Sequence, residues 1–259
     1  MEKIKYTSIE GKNVVITGAS GGIGEALTTM YADNGANLIL TDIPSQLQKG
    51  NYPDNAKLIA GDLSDLDSVV HLAKSILSEV NNVDILINNA GLQIVTPVDQ
   101  FPDKDWLRLI QVMLVAPFQL TKYFLPGMKK NQWGRIINIS SIHGLVASPF
   151  KSAYVAAKHG LVGFTKTVAT EVGEDGITAN AICPGYVDTP LARGQIKSQS
   201  VLHGIEEDEV ISKVMLQNAS IKELIDPSEI ASLALFLSSR SARSITGSAY
   251  SIDAGWTAR

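Results

Sequence analysis

Tyr154 and Lys158, four residues apart, are the first pair in this sequence whose types and spacing could do chemistry. On a helix that spacing puts both side chains on one face. A free tyrosine, with a pKa of about 10, is a poor base near neutrality. An ammonium beside the phenol favours the phenolate, as would a positively charged ring bound nearby, so the pair becomes a competent general acid and base. Ser141 precedes Tyr154 by thirteen residues and follows a β-branched run, which places its hydroxyl to donate a hydrogen bond to a reacting substrate oxygen. A Tyr-x-x-x-Lys pair alone is usually a surface couple. The motifs that come before it set this one apart.

Residues 13–17 (NVVIT) read as a strand that runs directly into residues 18–24 (GASGGIG) and then into the helix-compatible stretch EALTTMYADNG. Gly18 allows a sharp turn, while Gly22 and Gly24 let the backbone and a helix N-terminus approach a pyrophosphate, with Ser20 and Ile23 in the same loop. The spacing is G-x-x-x-G-x-G rather than G-x-G-x-x-G. Asp42 closes the second strand 18 residues after Gly24, where an acid grips an adenosine ribose. Its carboxylate would repel a 2′-phosphate and neither Gly21 nor Ile43 is basic, so NAD is expected rather than NADP. Asp62 and Leu63 follow the third strand and are expected against the adenine ring. Asn88, Asn89, Ala90 and Gly91 end the fourth strand at the carboxyl edge of the sheet, where such folds bind ligands.

These motifs need a scaffold, and the remaining sequence describes one. Residues 13–17, 37–41, 57–60, 84–88, 135–139 and 178–183 are short apolar runs, mostly without strict alternation, as in parallel strands covered on both faces. Between them, residues 68–80 carry Val69, Leu72, Ala73, Ile76 and Val80 at three- and four-residue steps, a helical period. Asp226, Pro227 and Glu229 have the spacing of a helix start with a capping box. With a last strand near 249–252, the expectation is one doubly wound, Rossmann-type α/β domain across residues 1–259, with a parallel sheet and helices on both faces. Apolar residues at 45%, charged residues at 19% and a net charge of −4 give no reason to expect nucleic acid or an anionic membrane as partner. One cysteine, Cys183, excludes an internal disulfide, and four scattered histidines make a metal site unexpected. No segment has the length of a membrane span, and the first residues lack a signal-peptide stretch, so the cytoplasm is the expected location.

Taken together, residues 17–24, residues 88–91, Ser141, the Tyr154 and Lys158 pair and Pro184-Gly185 closely resemble the short-chain dehydrogenase/reductase family over essentially the whole chain. That resemblance implies a nicotinamide-dependent oxidoreductase. Tyr154 would be its general acid and base, Lys158 would hold the nicotinamide ribose and lower the tyrosine pKa, and Ser141 would orient the substrate oxygen. The segment 184–191 (PGYVDTPL), including Pro184, Gly185, Val187 and Thr189, would contact the nicotinamide end. One position departs from the pattern. Where many relatives carry an asparagine that supports a proton-relay water, this chain has Met113, which cannot make the side-chain hydrogen bonds of an amide. Either backbone and water serve the relay, or Gln111 or another group substitutes.

Four polar residues, Gln93, His143, Lys151 and Gln195, fall in loops that should converge over the nicotinamide. A lysine among amides suits a small carboxylate better than a sterol or fatty-acyl chain, because a desolvated carboxylate needs charge-assisted hydrogen bonds. Residues 141–154 and 254–259 are similar to family members that act on short 3-hydroxy acids. This resemblance implies that the four residues hold the carboxylate, that Trp256 walls a short pocket, and that the protein is a homotetramer. A 3-ketoacyl-thioester reductase and a polyol or sugar dehydrogenase are the alternatives; Asp42 argues against the first and Lys151 against the second, while a non-catalytic NAD-binding scaffold would have no reason to keep Ser141, Tyr154 and Lys158 in register. A mobile lid is expected over about 190–218, with 206–215 its most helical part. Replacing Asp42 with alanine should weaken the preference for NAD over NADP in steady-state kinetics; an unchanged ratio would remove Asp42 as the discriminator.

Overall fold

A computed structural model describes residues 9–258; the N-terminal octapeptide and Arg259, the end of the 254–259 phrase, lie outside the described residues. In chain order the elements are β1 (Asn13–Thr17), α1 (Gly22–Asp33), β2 (Asn37–Thr41), α2 (Pro44–Leu47), β3 (Lys57–Leu58), α3 (Leu66–Val80) and β4 (Ile85–Asn88). They continue with α4 (Asp103–Ile110), α5 (Ala116–Lys130), β5 (Gly134–Ile139), α6 (Ser152–Val172) and β6 (Ile177–Pro184). The last are α7 (Pro190–Arg193), α8 (Ile196–His203), α9 (Pro227–Ser238) and β7 (Ala249–Ile252). The strands form one parallel sheet in the order β3-β2-β1-β4-β5-β6-β7. Strand order reverses between β1 and β4, so a crevice opens at their carboxyl ends.

The unbroken apolar character of the strands follows from burial on both faces. Val15, Leu86 and Ile136 point into a core shared with Leu72 of α3, Phe124 of α5 and Ala157 of α6. Their neighbours Val14, Ile16, Ile85 and Ile137 point the other way, against Leu27 and Tyr31 of α1 and Ile230 and Leu237 of α9. The pleat sends successive side chains to opposite faces, so a strand with helices on both sides must be apolar throughout.

Helix starts follow their caps. Asp65 accepts a hydrogen bond from the Ser68 amide at 2.7 Å, so α3 begins at Leu66 rather than 68. Asp226 and Glu229 form the expected capping box, with Pro227 in the first turn of α9. Two expectations need correction. The run 57–60 is a strand only over Lys57–Leu58, although Ile59 and Gly61 continue to donate to the carbonyls of Leu40 and Asp42. Segment 206–215 is not the most helical part of its region: it holds a short 3-10 turn (Glu207–Glu209) and a π-turn (Ile211–Met215), while the regular helix is α8. A second π-turn, Gln111–Val115, joins α4 to α5. Pro117 has no N–H to return to the carbonyl of Met113, and the Ala116 amide reaches back five residues to Gln111.

The Tyr31 hydroxyl meets that of Ser238 at 2.6 Å inside the core, joining α1 to α9. Tyr31→Phe would strand the Ser238 hydroxyl and should cost about 1–2 kcal/mol. The expected reading is a lower denaturant midpoint with an unchanged slope, and an unchanged midpoint would contradict it.

Candidate active site

The carboxyl ends of β1, β4, β5 and β6 open onto a cavity of about 590 Å³. Gly18, at φ +65°, makes the turn out of β1, and a Cβ there would lie 2.8 Å from the Ala90 Cα. A Cβ on Gly22 would lie 2.8 Å from the Thr189 Cγ2, so this side of the cleft is a cradle that only a bare backbone leaves open. The motif at 88–91 is tied to that turn. The Thr17 hydroxyl accepts from the amides of Asn89 and Ala90, each at 3.0 Å, and the Asn89 amide donates to the carbonyls of Thr17 and Gly18. Asp42 accepts from the Ser20 amide at 3.2 Å, from the Ser20 hydroxyl and from the Ile43 amide at 2.8 Å. A carboxylate fixed beside a phosphate-binding turn is placed to accept from ribose hydroxyls. Ser20, Ile23, Gly24, Asp42, Asp62, Leu63, Gly91, Pro184, Gly185, Val187 and Thr189 all line the same cavity, so the structure brings every expected cofactor residue to one cleft.

The chemistry-bearing residues sit where β5 meets α6. Ser141 follows β5 in an extended conformation, and its hydroxyl accepts from the His143 amide at 3.1 Å. Tyr154 lies in the first turn of α6, and Lys158 one turn later, with its ammonium 5.6 Å from the tyrosine ring centre. The Lys158 Nζ donates to the Ile139 carbonyl at 2.7 Å, while the Ser140 hydroxyl donates to the Lys158 carbonyl at 3.1 Å. Helix and strand end are thus locked in register. Burial pushes the Lys158 ammonium down to about 8. The Tyr154 phenol is raised by burial, which outweighs the opposing hydrogen bond from Ser141. In the protein by itself, burial dominates. A cationic ring in the cleft is the further charge that would favour the phenolate.

Met113 is buried, and its Sδ lies 3.7 Å from where a Gly91 Cβ would stand. Gln111 does not take the amide's place: its side chain donates to the Leu63 carbonyl at 3.3 Å, on the side of the adenine-end residues.

Gln93, His143, Lys151 and Gln195 line the cavity with Ser141 and Tyr154. Lys151 is 3% exposed, and among the described residues no carboxylate lies within ion-pair distance of it. Its pKa falls to about 8 through burial. His143 is pressed between the ring edges of Tyr154, Tyr186 and Trp256, at 6.1, 6.3 and 6.1 Å. Burial, then the Lys151 charge, pushes its pKa down to about 3, so the ring is neutral at pH 7. The His143 Nδ1 and the Oε1 atoms of Gln93 and Gln195 are buried without a partner. Trp256 stands behind His143 rather than among the lining residues; the Asp253 carboxylate, accepting from the amides of Gly255 and Thr257 at 3.0 and 2.9 Å, shapes the turn that carries it. The lining residues missed from sequence include Tyr186 and Arg108. Tyr186 lies within the segment 184–191, and its aromatic ring is the available signal; Arg108 sits in the last turn of α4 with none.

The family model for short chain dehydrogenases matches residues 12–200. The chain belongs to that family. It is 45% identical over 256 residues to the D-beta-hydroxybutyrate dehydrogenase of Rhizobium meliloti, covering 96% of this chain and 99% of that one. With the enzyme of the same name from Cupriavidus necator it shares 38% over 257 residues, covering 97% and 100%. A crystal structure described as an NAD(P) dependent gluconate 5-dehydrogenase from Beutenbergia cavernae, with NADP bound at low occupancy, superposes with a TM-score of 0.86 at 28% identity, covering 98% of this chain and all of that one. A nicotinamide cofactor fits the glycine cradle of this dehydrogenase. Among the described residues, no group of three His, Cys, Asp or Glu could hold a metal ion, and no helix is long and apolar enough to cross a membrane. Tyr154→Phe should lower kcat by about 10²- to 10⁴-fold with NADH affinity nearly unchanged, measured by turnover and fluorescence titration. A variant retaining wild-type kcat would remove Tyr154 as the acid and base.

Proposed function

We propose that this protein interconverts (R)-3-hydroxybutyrate and acetoacetate with NAD. The observation that carries the substrate assignment is Lys151. A buried ammonium without a protein counter-ion is unfavourable, and a carboxylate brought by the substrate would supply the missing charge. Lys151 caps the helix that carries Tyr154 in its first turn, so an acid held by the lysine would set a hydroxyl a short chain away near the phenol. The relatives bearing the 3-hydroxybutyrate dehydrogenase name support the same choice.

When bound, the nicotinamide supplies the hydride acceptor for oxidation and the hydride donor for reduction. Gly18, Gly22, Asp42, Asn89 and Lys158 would hold the cofactor, and Asp42 favours NAD by repelling a 2′-phosphate. The Tyr154 Oη takes the proton of the substrate hydroxyl, and in the reverse direction returns it to the carbonyl oxygen. Ser141 holds that same oxygen, and Lys158 steadies the ribose beside the tyrosine. Lys151, neutral His143, Gln93 and Gln195 fix the carboxylate, while Trp256 backs His143. Such positioning removes much of the entropic part of the barrier. The chain acts as one catalytic domain whose segment at about 190–218 closes over the cleft and excludes water. We place the protein in the cytoplasm as a homotetramer, as the family resemblance implies; the exposed Leu107 and Phe118 on adjoining helices offer an apolar face that another subunit would cover.

Lys151→Ala should raise KM for 3-hydroxybutyrate by about 10- to 100-fold, far more than for a neutral secondary alcohol. In the wild type only the ammonium attracts the acid, so KM for the acid should climb as pH rises through about 8, with no matching climb for the neutral alcohol. Equal effects on both substrates would remove Lys151 from the carboxylate site.

A further inference from the structure

The acid end of the cleft contains a hydroxyl whose proton has nowhere to go. The Lys151 Nζ lies 3.0 Å from the Tyr186 Oη. An ammonium is a donor only, so the tyrosine oxygen accepts, and the phenolic proton must point elsewhere. Among the described residues no hydrogen bond gives that proton an acceptor. Tyr186 also stays protonated across the physiological range, because burial pushes its pKa up to about 12.

Both partners are rigidly held. The Tyr186 carbonyl accepts from the Ile225 amide at 2.9 Å, and Val187 bridges Ile225 in parallel. Its ring packs against the small core of Val210, Met215, Leu216 and Ala219 and meets the edge of His143. Lys151 follows Phe150, which holds a left-handed φ of +66° while its carbonyl accepts from the Thr96 amide at 2.9 Å. That backbone strain is retained only where its surroundings enforce it, and here it sets the direction of the next residue.

We propose that Tyr186 is a positioning and specificity-determining residue: its oxygen anchors the Lys151 ammonium, and its proton is donated to the second oxygen of the substrate carboxylate. The inference rests on the reading of an acid substrate. It adds to that reading a two-donor clamp, set before the ligand arrives, in which the ammonium and the phenol grip different oxygens of one carboxylate. A preset pair of donors loses little entropy on binding and disfavours a neutral group, which leaves the ammonium's charge uncompensated.

The test is calorimetric titration of the NADH-loaded enzyme with butyrate, which has the carboxylate but no hydroxyl to oxidise, in wild type and Tyr186→Phe. Butyrate should bind the wild type, and the variant should bind it about 10- to 30-fold more weakly with NADH affinity retained. The ratio of kcat/KM for 3-hydroxybutyrate to that for butan-2-ol should fall by a similar factor. Equal butyrate affinity in the two proteins, no butyrate binding by the wild type, or a loss of NADH affinity matching the loss for butyrate would each overturn the proposal. Tyr186-dependent butyrate binding by an enzyme that oxidises no short 3-hydroxy acid would uphold the clamp and reject the substrate.

Discussion

Lys151 and Lys158 bracket the first two turns of α6, both 3% exposed and neither beside a carboxylate among the described residues. Keeping two ammonium groups out of water is a standing expense, and the cleft is organised around how each is satisfied. Lys158 is met from within, by the Ile139 carbonyl at the end of β5. Lys151 has only the neutral oxygen of Tyr186. The difference divides the cleft: Lys158 is built into the scaffold beside Tyr154, and Lys151 is the group to which the proposed function gives the substrate's carboxylate.

The sheet makes this arrangement possible. Parallel strands put every carboxyl end on one edge, so the glycine turn, the motif at 88–91, Ser141 and the segment after β6 meet although they are far apart in sequence. Buried polar contacts then fix the strands laterally. The Asn88 amide donates to Asn138 at 2.8 Å, and the Asn138 amide donates to Thr165 of α6 at the same distance. This line runs from the strand beside the cofactor cradle to the helix that carries Tyr154. These side-chain hydrogen bonds tie β4 to β5 and β5 to α6.

Much of this was legible in the sequence because it depends on local rules. The strands show as apolar runs, α9 shows through Asp226, Pro227 and Glu229, and the cradle shows as closely spaced glycines. What the sequence left unread depends on packing between distant segments. The π-turn at Gln111–Val115 reflects Pro117 acting on a helix already held in place, and Tyr186 gains its role only where β6 brings it beside Lys151. The raised Tyr154 phenol is another feature that spacing does not show. Spacing shows a cation one turn away but not how thoroughly the fold buries the phenol, and burial outweighs the hydrogen bond with Ser141. Likewise, 206–215 reads as the most helical part of its region, yet a π-turn carries it, and Val210 and Met215 are buried in the small core with Tyr186 and Trp256.

The central claim is that the cleft selects a short acid at the distance set by Lys151 and Tyr154. The most direct measurement is NADH formation from NAD across a panel containing (R)- and (S)-3-hydroxybutyrate, longer 3-hydroxy acids, neutral secondary alcohols and polyols. The account predicts the highest kcat/KM for (R)-3-hydroxybutyrate, with the neutral compounds far behind. A neutral polyol as the best substrate, or no turnover of 3-hydroxybutyrate, would contradict it.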